Sequence, residues 1–149
     1  MTAPLFQFLG SSLFPYLAYL AALLVCGFAF WKGDRPWKLA AVVLILAWTL
    51  TPLVGHRNAR GWSLAVAVID TNVAILVTWI SMRWRRVWIA VLAAFCILGV
   101  LTPIVFMLDH GVDWSAFAAA NNVLAVGQLV VLIAGSLSVE RRRSDEGAL

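Results

Sequence analysis

Charge is scarce in this chain: 149 residues include only seven Asp and Glu and eleven Lys and Arg, while 63% are hydrophobic. A soluble domain carries charge on about a quarter of its residues, so a water-facing globule is not expected. Cysteine is scarce too. Cys26 and Cys96 both lie inside apolar runs with no CxxC spacing, which leaves no disulfide framework or zinc site and reads as two small buried hydrophobes. Nucleophile elbow, HExxH, phosphate-binding loop and dinucleotide fingerprint are all missing, so no enzyme and no cofactor are expected. The first twelve residues hold no Lys or Arg, which argues against a cleaved signal peptide and makes MTAPLFQFLGSS a short interfacial lead-in to the first span.

What is abundant is apolar sequence in long runs, with a mean hydropathy of +0.93. A membrane-spanning helix needs roughly 20 mostly apolar residues, and five segments meet or approach this length. They run from about Leu13 to Trp31, Trp37 to Gly55, Gly61 to Met82, Val87 to Leu108 and Trp114 to Ser138. The expected architecture is therefore all-α: an integral membrane bundle of about five transmembrane helices in one domain, residues 1–138, with a tail at 139–149. Connections of a few residues make consecutive helices antiparallel neighbours. Six of the eight tryptophans, Trp31, Trp37, Trp62, Trp84, Trp88 and Trp114, stand near run ends, where an amphipathic ring suits the headgroup level. Trp48 and Trp79 fall well inside runs.

The basic residues orient the chain. Lys32, Arg35, Lys38, Arg83, Arg85, Arg86, Arg141, Arg142 and Arg143 fall on one side of a five-helix bundle, and only Arg57 and Arg60 on the other. Positive charge resists translocation, so the amino terminus is expected outside the cell and the carboxyl terminus in the cytoplasm. The net charge of +4 is thereby assigned to topology and not to nucleic acid. The tail VERRRSDEGAL reads as a solvated end without fixed structure.

An internal echo runs through the chain. Trp37 and Trp88 each open an apolar run that reaches Leu-Thr-Pro, at Leu50-Thr51-Pro52 and Leu101-Thr102-Pro103; each is followed by Trp-Ser, at Trp62-Ser63 and Trp114-Ser115. Eight residues beyond stand Asp70 in one copy and Asn122 in the other. This is the pattern of a duplicated helical hairpin, spans two and three matching spans four and five, with both copies facing the same way.

Asp70, in AVAVIDTNVAILV, is the residue with most to explain. A charged Asp at the bilayer centre costs ~3 kcal/mol on insertion scales, so it should face protein or water. It serves either as a proton or cation site or as a helix-to-helix hydrogen bond that fixes packing. At ~1.5 Å per residue, Asp70 lies ~13 Å below the outer end of its helix, with Asn121 and Asn122 at ~10–12 Å and Thr49, Thr51 and Thr102 at ~7–10 Å. Together with Asn72, these residues form a polar layer that hydrocarbon cannot satisfy, so they are expected to turn towards one another as a polar core or a small wet cavity open to the outside. Pro52 and Pro103 lie in the same slab, each freeing a carbonyl one turn earlier. Gln128 could join this layer or meet another chain, and Gly127, Gly135 and Ser136 permit close helix contact without a strict GxxxG. His56 and His110 fall in outward loops without ligand spacing, so haem or metal ligation is the remote reading; Asp109 and Asp113 are similarly placed for a loop cation.

The segment from Arg35 to about Gly135 resembles a group of small polytopic proteins of alphaproteobacteria, particularly of sphingomonad type. The resemblance rests on Trp62 through Asp70, Arg85–Trp88, Leu101-Thr102 and MLDHGVDWSAFAAA at Met107–Ala120. Members often carry His where this chain has Pro103. The resemblance implies placement in a bacterial inner membrane, so that the amino terminus is expected to be periplasmic and the carboxyl terminus cytoplasmic, and it implies no activity. The functional expectation is a non-enzymatic accessory or interaction subunit of a larger membrane complex, its partners the bilayer and other membrane subunits or itself. The alternative is a small oligomeric transporter or channel using Asp70 and the polar layer, and a third reading is a haem- or metal-binding membrane protein.

Overall fold

A computed structural model describes residues 14–54, 64–108 and 113–146. Those residues form five helices: α1 (Phe14–Lys32), α2 (Arg35–Val54), α3 (Leu64–Trp84), α4 (Val87–Leu108) and α5 (Trp114–Glu146). Among the described residues there is no strand. The fold is an all-α helical bundle.

Short turns set the helix ends. Gly33 N–H closes the last turn of α1 on the Ala29 carbonyl at 2.9 Å, and the Asp34 carbonyl accepts the first bond of α2, from Lys38 N–H at 3.0 Å. Pro36 fits the opening turn of α2, where its missing N–H would have had no helical partner anyway. After α3 the chain turns through Arg85, at φ 49°, a left-handed cap whose N–H bonds the Ser81 carbonyl at 2.8 Å. Arg86 then supplies the first acceptor of α4, to Ala90 N–H at 3.0 Å, as Asp113 does for α5, to Phe117 N–H at 3.1 Å. Asp113 thus caps α5, and Ser115 stands inside its first turn.

The helices form a closed ring. Each packs against its neighbours in chain order, α1 closes the circle against α5, and α2 touches α5 across the middle. Arg86 donates to Asp34 at 3.0 Å, tying the α1–α2 turn to the α3–α4 turn at one end of the ring, hereafter the basic end. At the far end, the Phe106 and Phe117 rings stack 4.6 Å apart and hold α4 to α5.

Packing is uneven along the bundle. The most deeply buried side chains, Trp37, Val77, Ile89, Leu92, Leu132 and Ser136, all belong to the half of their helices nearer the basic end. Trp37 is the largest of them and only 1% exposed. Its indole lies directly on Gly135, where any Cβ would collide with the ring. This corrects its assignment to an interfacial belt: a glycine on α5 gives the ring a slot inside the bundle, and filling that slot brings more contact than the headgroup layer offers. Trp31 and Trp88 do stay exposed, while Trp62 lies outside the described residues. Gly127 is covered in the same manner by the Phe95 ring of α4. Cys26 and Cys96 are free and buried.

The outside of the ring is apolar over most of its length, with Leu24, Ile75 and Leu108 all more than 60% exposed. So large an apolar surface is untenable in water and is ordinary against lipid. Four helices are long and apolar enough to cross a membrane: Arg35–Val54, Leu64–Trp84, Val87–Leu108 and the Ser115–Val139 part of α5. Phe14–Lys32 is 19 residues of apolar helix, of which Leu17–Lys32 ranks as a shorter apolar helix. The helix ends agree with the expected spans to within three residues, with one exception. α5 continues as helix to Glu146, where a tail without fixed structure was expected after Ser138. A helix already nucleated lengthens at small cost, and Glu and Arg are good helix formers.

Candidate functional site

Towards the far end the ring is less tightly packed. A cavity of about 840 Å³ opens there, lined by all five helices. Its walls come from the carboxyl-terminal half of α2, from Leu44 to Leu53, and the amino-terminal half of α3, from Val66 to Val73, which is the same level in an antiparallel pair. The remaining walls are Ala18 and Tyr19 of α1, Cys96 and Gly99 of α4, and the Asn121–Gln128 stretch of α5.

The polar layer divides at this cavity. Asp70, Asn121, Asn122 and Thr51 line it, as do Thr49 and Gln128. Asp70 and Asn122, each eight residues past the Trp of a Trp-Ser pair, therefore meet one space. Asn72 and Thr102 are not among the lining residues. Asn72 is exposed on the outside of the bundle and donates from Nδ2 to the Val68 carbonyl at 2.7 Å. Thr102 donates from Oγ1 to the Leu98 carbonyl at 2.7 Å. A polar group that donates to its own helix backbone loses part of its need to face inward, which is why level along the helix alone did not sort these two from the rest.

The threonines of α2 behave in the same way while still lining the cavity. Thr51 Oγ1 donates to the Ala47 carbonyl at 2.8 Å, and Thr49 Oγ1 lies 2.9 Å from both the Ile45 and the Leu46 carbonyls. Their hydrogens are thus turned to the backbone, and only acceptor lone pairs remain for the cavity. The prolines add to this. Both α2 and α4 continue as helix through their proline, so the carbonyls four residues earlier, those of Trp48 and Gly99, lose the N–H that would normally bond them. Trp48 and Gly99 both belong to the lining, Gly99 through backbone atoms because it has no side chain. The threonine hydroxyls bond the carbonyls next in sequence and not the freed ones. Gln128 Nε2 lies 3.9 Å from Cys96 Sγ, a weak link between α5 and α4 at the cavity wall.

Tyr19, Trp48 and Cys96 are lining residues that the sequence reading did not place in the layer. For Trp48 a signal existed: a tryptophan in mid-span cannot sit at the headgroups and needs another surface. Tyr19 and Cys96 carried none. No Lys, Arg or His occurs among the described lining residues, and no group of three or more His, Cys, Asp or Glu that could hold a metal occurs among the described residues. His56, His110, Arg57, Arg60 and Asp109 lie outside the described residues.

The bundle and its apolar surface define a multi-pass helical membrane protein with an internal cavity. Comparison with protein families, curated proteins and solved structures finds no match.

Proposed function

We propose that this is a small-solute binding or transport protein of the bacterial inner membrane, whose solute enters the cavity from the periplasmic side. All five helices span, with the amino terminus outside and the basic end in the cytoplasm, as the nine-to-two distribution of Lys and Arg supports. One observation carries the reading: the half of the bundle remote from the basic end holds a roomy cavity with convergent polar groups, while the basic half is packed shut around Trp37 and Leu132. A mostly apolar pocket of roughly 300–1,000 Å³ with a few placed polar groups is the usual form of a small-molecule site. A cavity held in one half of the bundle, with the other half packed shut, is what alternating access requires of one of its states. A subunit serving only as a packing partner has no use for such a space.

The subunit reading keeps one observation of its own. Asn72 sits in mid-helix on the exposed face of α3, where its carbonyl oxygen would meet lipid unless another chain or a second copy covers it.

Thiol labelling tests the proposal. In a variant with Cys26 and Cys96 replaced by alanine, Asn121→Cys reacts with a membrane-impermeant thiosulfonate added outside intact spheroplasts, and Ser136→Cys does not. An unreactive Asn121→Cys, or one reached only from the cytoplasmic side, ends the proposal.

A further inference from the structure

We infer that the cavity takes a monovalent organic cation with an apolar, ring-containing body, and that Asp70 is its counter-charge. This rests on reading the cavity as a solute site and names the solute class.

The cavity walls favour positive charge. Asp70 is the sole carboxylate among the described lining residues, and no described Lys, Arg or His stands beside it to compensate. The other fixed dipoles lean the same way. Thr49 and Thr51 have turned their hydrogens to backbone carbonyls, and Pro52 and Pro103 leave two carbonyls in the lining residues Trp48 and Gly99 without their helical donors. The Asn121 amide can donate or accept as a ligand demands. Among the described lining residues an anion finds no cationic partner, whereas a cation finds a carboxylate and several acceptors.

Size and apolar lining choose among cations. At about 840 Å³ the cavity is many times larger than a bare metal ion, and the clustered His, Cys, Asp or Glu that a divalent ion requires are missing among the described residues. Most of the wall is apolar, with Leu44, Val66, Val73 and Leu124 facing the space, and Tyr19 and Trp48 add aromatic rings. Aromatic faces attract cations that carry little hydration of their own. A delocalised or quaternary cation with a bulky apolar body satisfies all of these walls at once.

Equilibrium dialysis of the full chain in dodecylmaltoside tests this, using tetraphenylphosphonium and the same-shaped anion tetraphenylborate. The expected result is saturable binding of the cation and none of the anion. Asp70→Asn weakens cation binding by roughly 10–100-fold, the scale of one charge pair in a half-open site, while Asp70→Glu keeps it. Equal retention of cation and anion, both lost when Ala125→Phe fills the cavity, overturns the cation assignment and leaves the solute site standing. If the wild type retains no phosphonium while Asn121→Cys is still labelled from outside, the cation assignment again falls alone; if that cysteine is unreactive, both readings fall. The cation-against-anion comparison is made on the wild type, so it decides the matter even if Asp70→Asn does not fold.

Discussion

Replacing Gly135 by alanine should reverse its effect on stability according to what stands at position 37. In the native sequence the added Cβ lands on the indole of Trp37, and that ring is 1% exposed with nowhere to retreat. Overpacking of this kind costs about 1–3 kcal/mol, against a gain of up to about 1 kcal/mol from exchanging glycine for alanine in a helix interior. The net expectation is a loss of about 1–2 kcal/mol. Trp37→Leu by itself removes most of the ring and leaves a void, at roughly 2–4 kcal/mol. In that background the Cβ has room, so Gly135→Ala should be neutral or stabilising by up to about 1 kcal/mol. The two substitutions are then coupled by at least about 1 kcal/mol. Unfolding in mixed micelles by increasing dodecylsulfate, followed by far-ultraviolet circular dichroism, measures all four proteins on one scale. Gly135→Ala with the same sign and size in both backgrounds would show that Trp37 does not rest on α5, and the packed basic half would lose its centre.

Three further outcomes follow from the same packing. Gly99→Ala meets no atom within 4 Å, so it should stabilise α4 by about 0.5–1 kcal/mol through helix propensity alone; destabilisation in the same unfolding assay would mean that the space at the cavity wall is not there. Arg86→Leu removes the partner of Asp34 Oδ2 from a carboxylate whose Oδ1 is already buried without a hydrogen bond. Because Arg86 is about a third exposed, the loss should be only ~0.5–1 kcal/mol, recovered largely when Asp34→Ala is added; no recovery in that double variant would show that the pair does not act as a pair. Asn72→Leu should leave stability equal or higher and outside labelling of Asn121→Cys unchanged, since it replaces an exposed mid-helix amide with a lipid-compatible side chain. A large loss of stability, or of a co-purifying second copy, would place that amide at an interface instead.

Much of the fold was legible because a bilayer leaves so few options. A chain in hydrocarbon must bond every backbone group internally, so long apolar runs become helices. The breaks between them fall where charge and turn-forming residues interrupt the run, as at Gly33-Asp34 and Arg85-Arg86, and the observed α4 has the expected ends, Val87 and Leu108. The site was legible in part. Depth along each helix follows from residue counting, which brought Asp70, Thr51, Asn121 and Asn122 to the level where the cavity lies.

Rotation about each helix axis was not legible. Asp70 and Asn72 are two residues apart, about 200° around a helix, so one lines the cavity and the other is exposed on the outside. Helices that are apolar all round carry no stripe to say which face turns inward. Trp37 and Trp88 differ for a related reason. Each stands at the start of an apolar helix that reaches Leu-Thr-Pro, yet one is in the core and the other 42% exposed, because Gly135 lies opposite the first. The amino-acid order by itself determined how many helices form, where they begin and at what level along its helix each polar group stands. Only tertiary packing decided which of those groups share a cavity, since that depends on side-chain volumes meeting across the ring and not on any period along the chain.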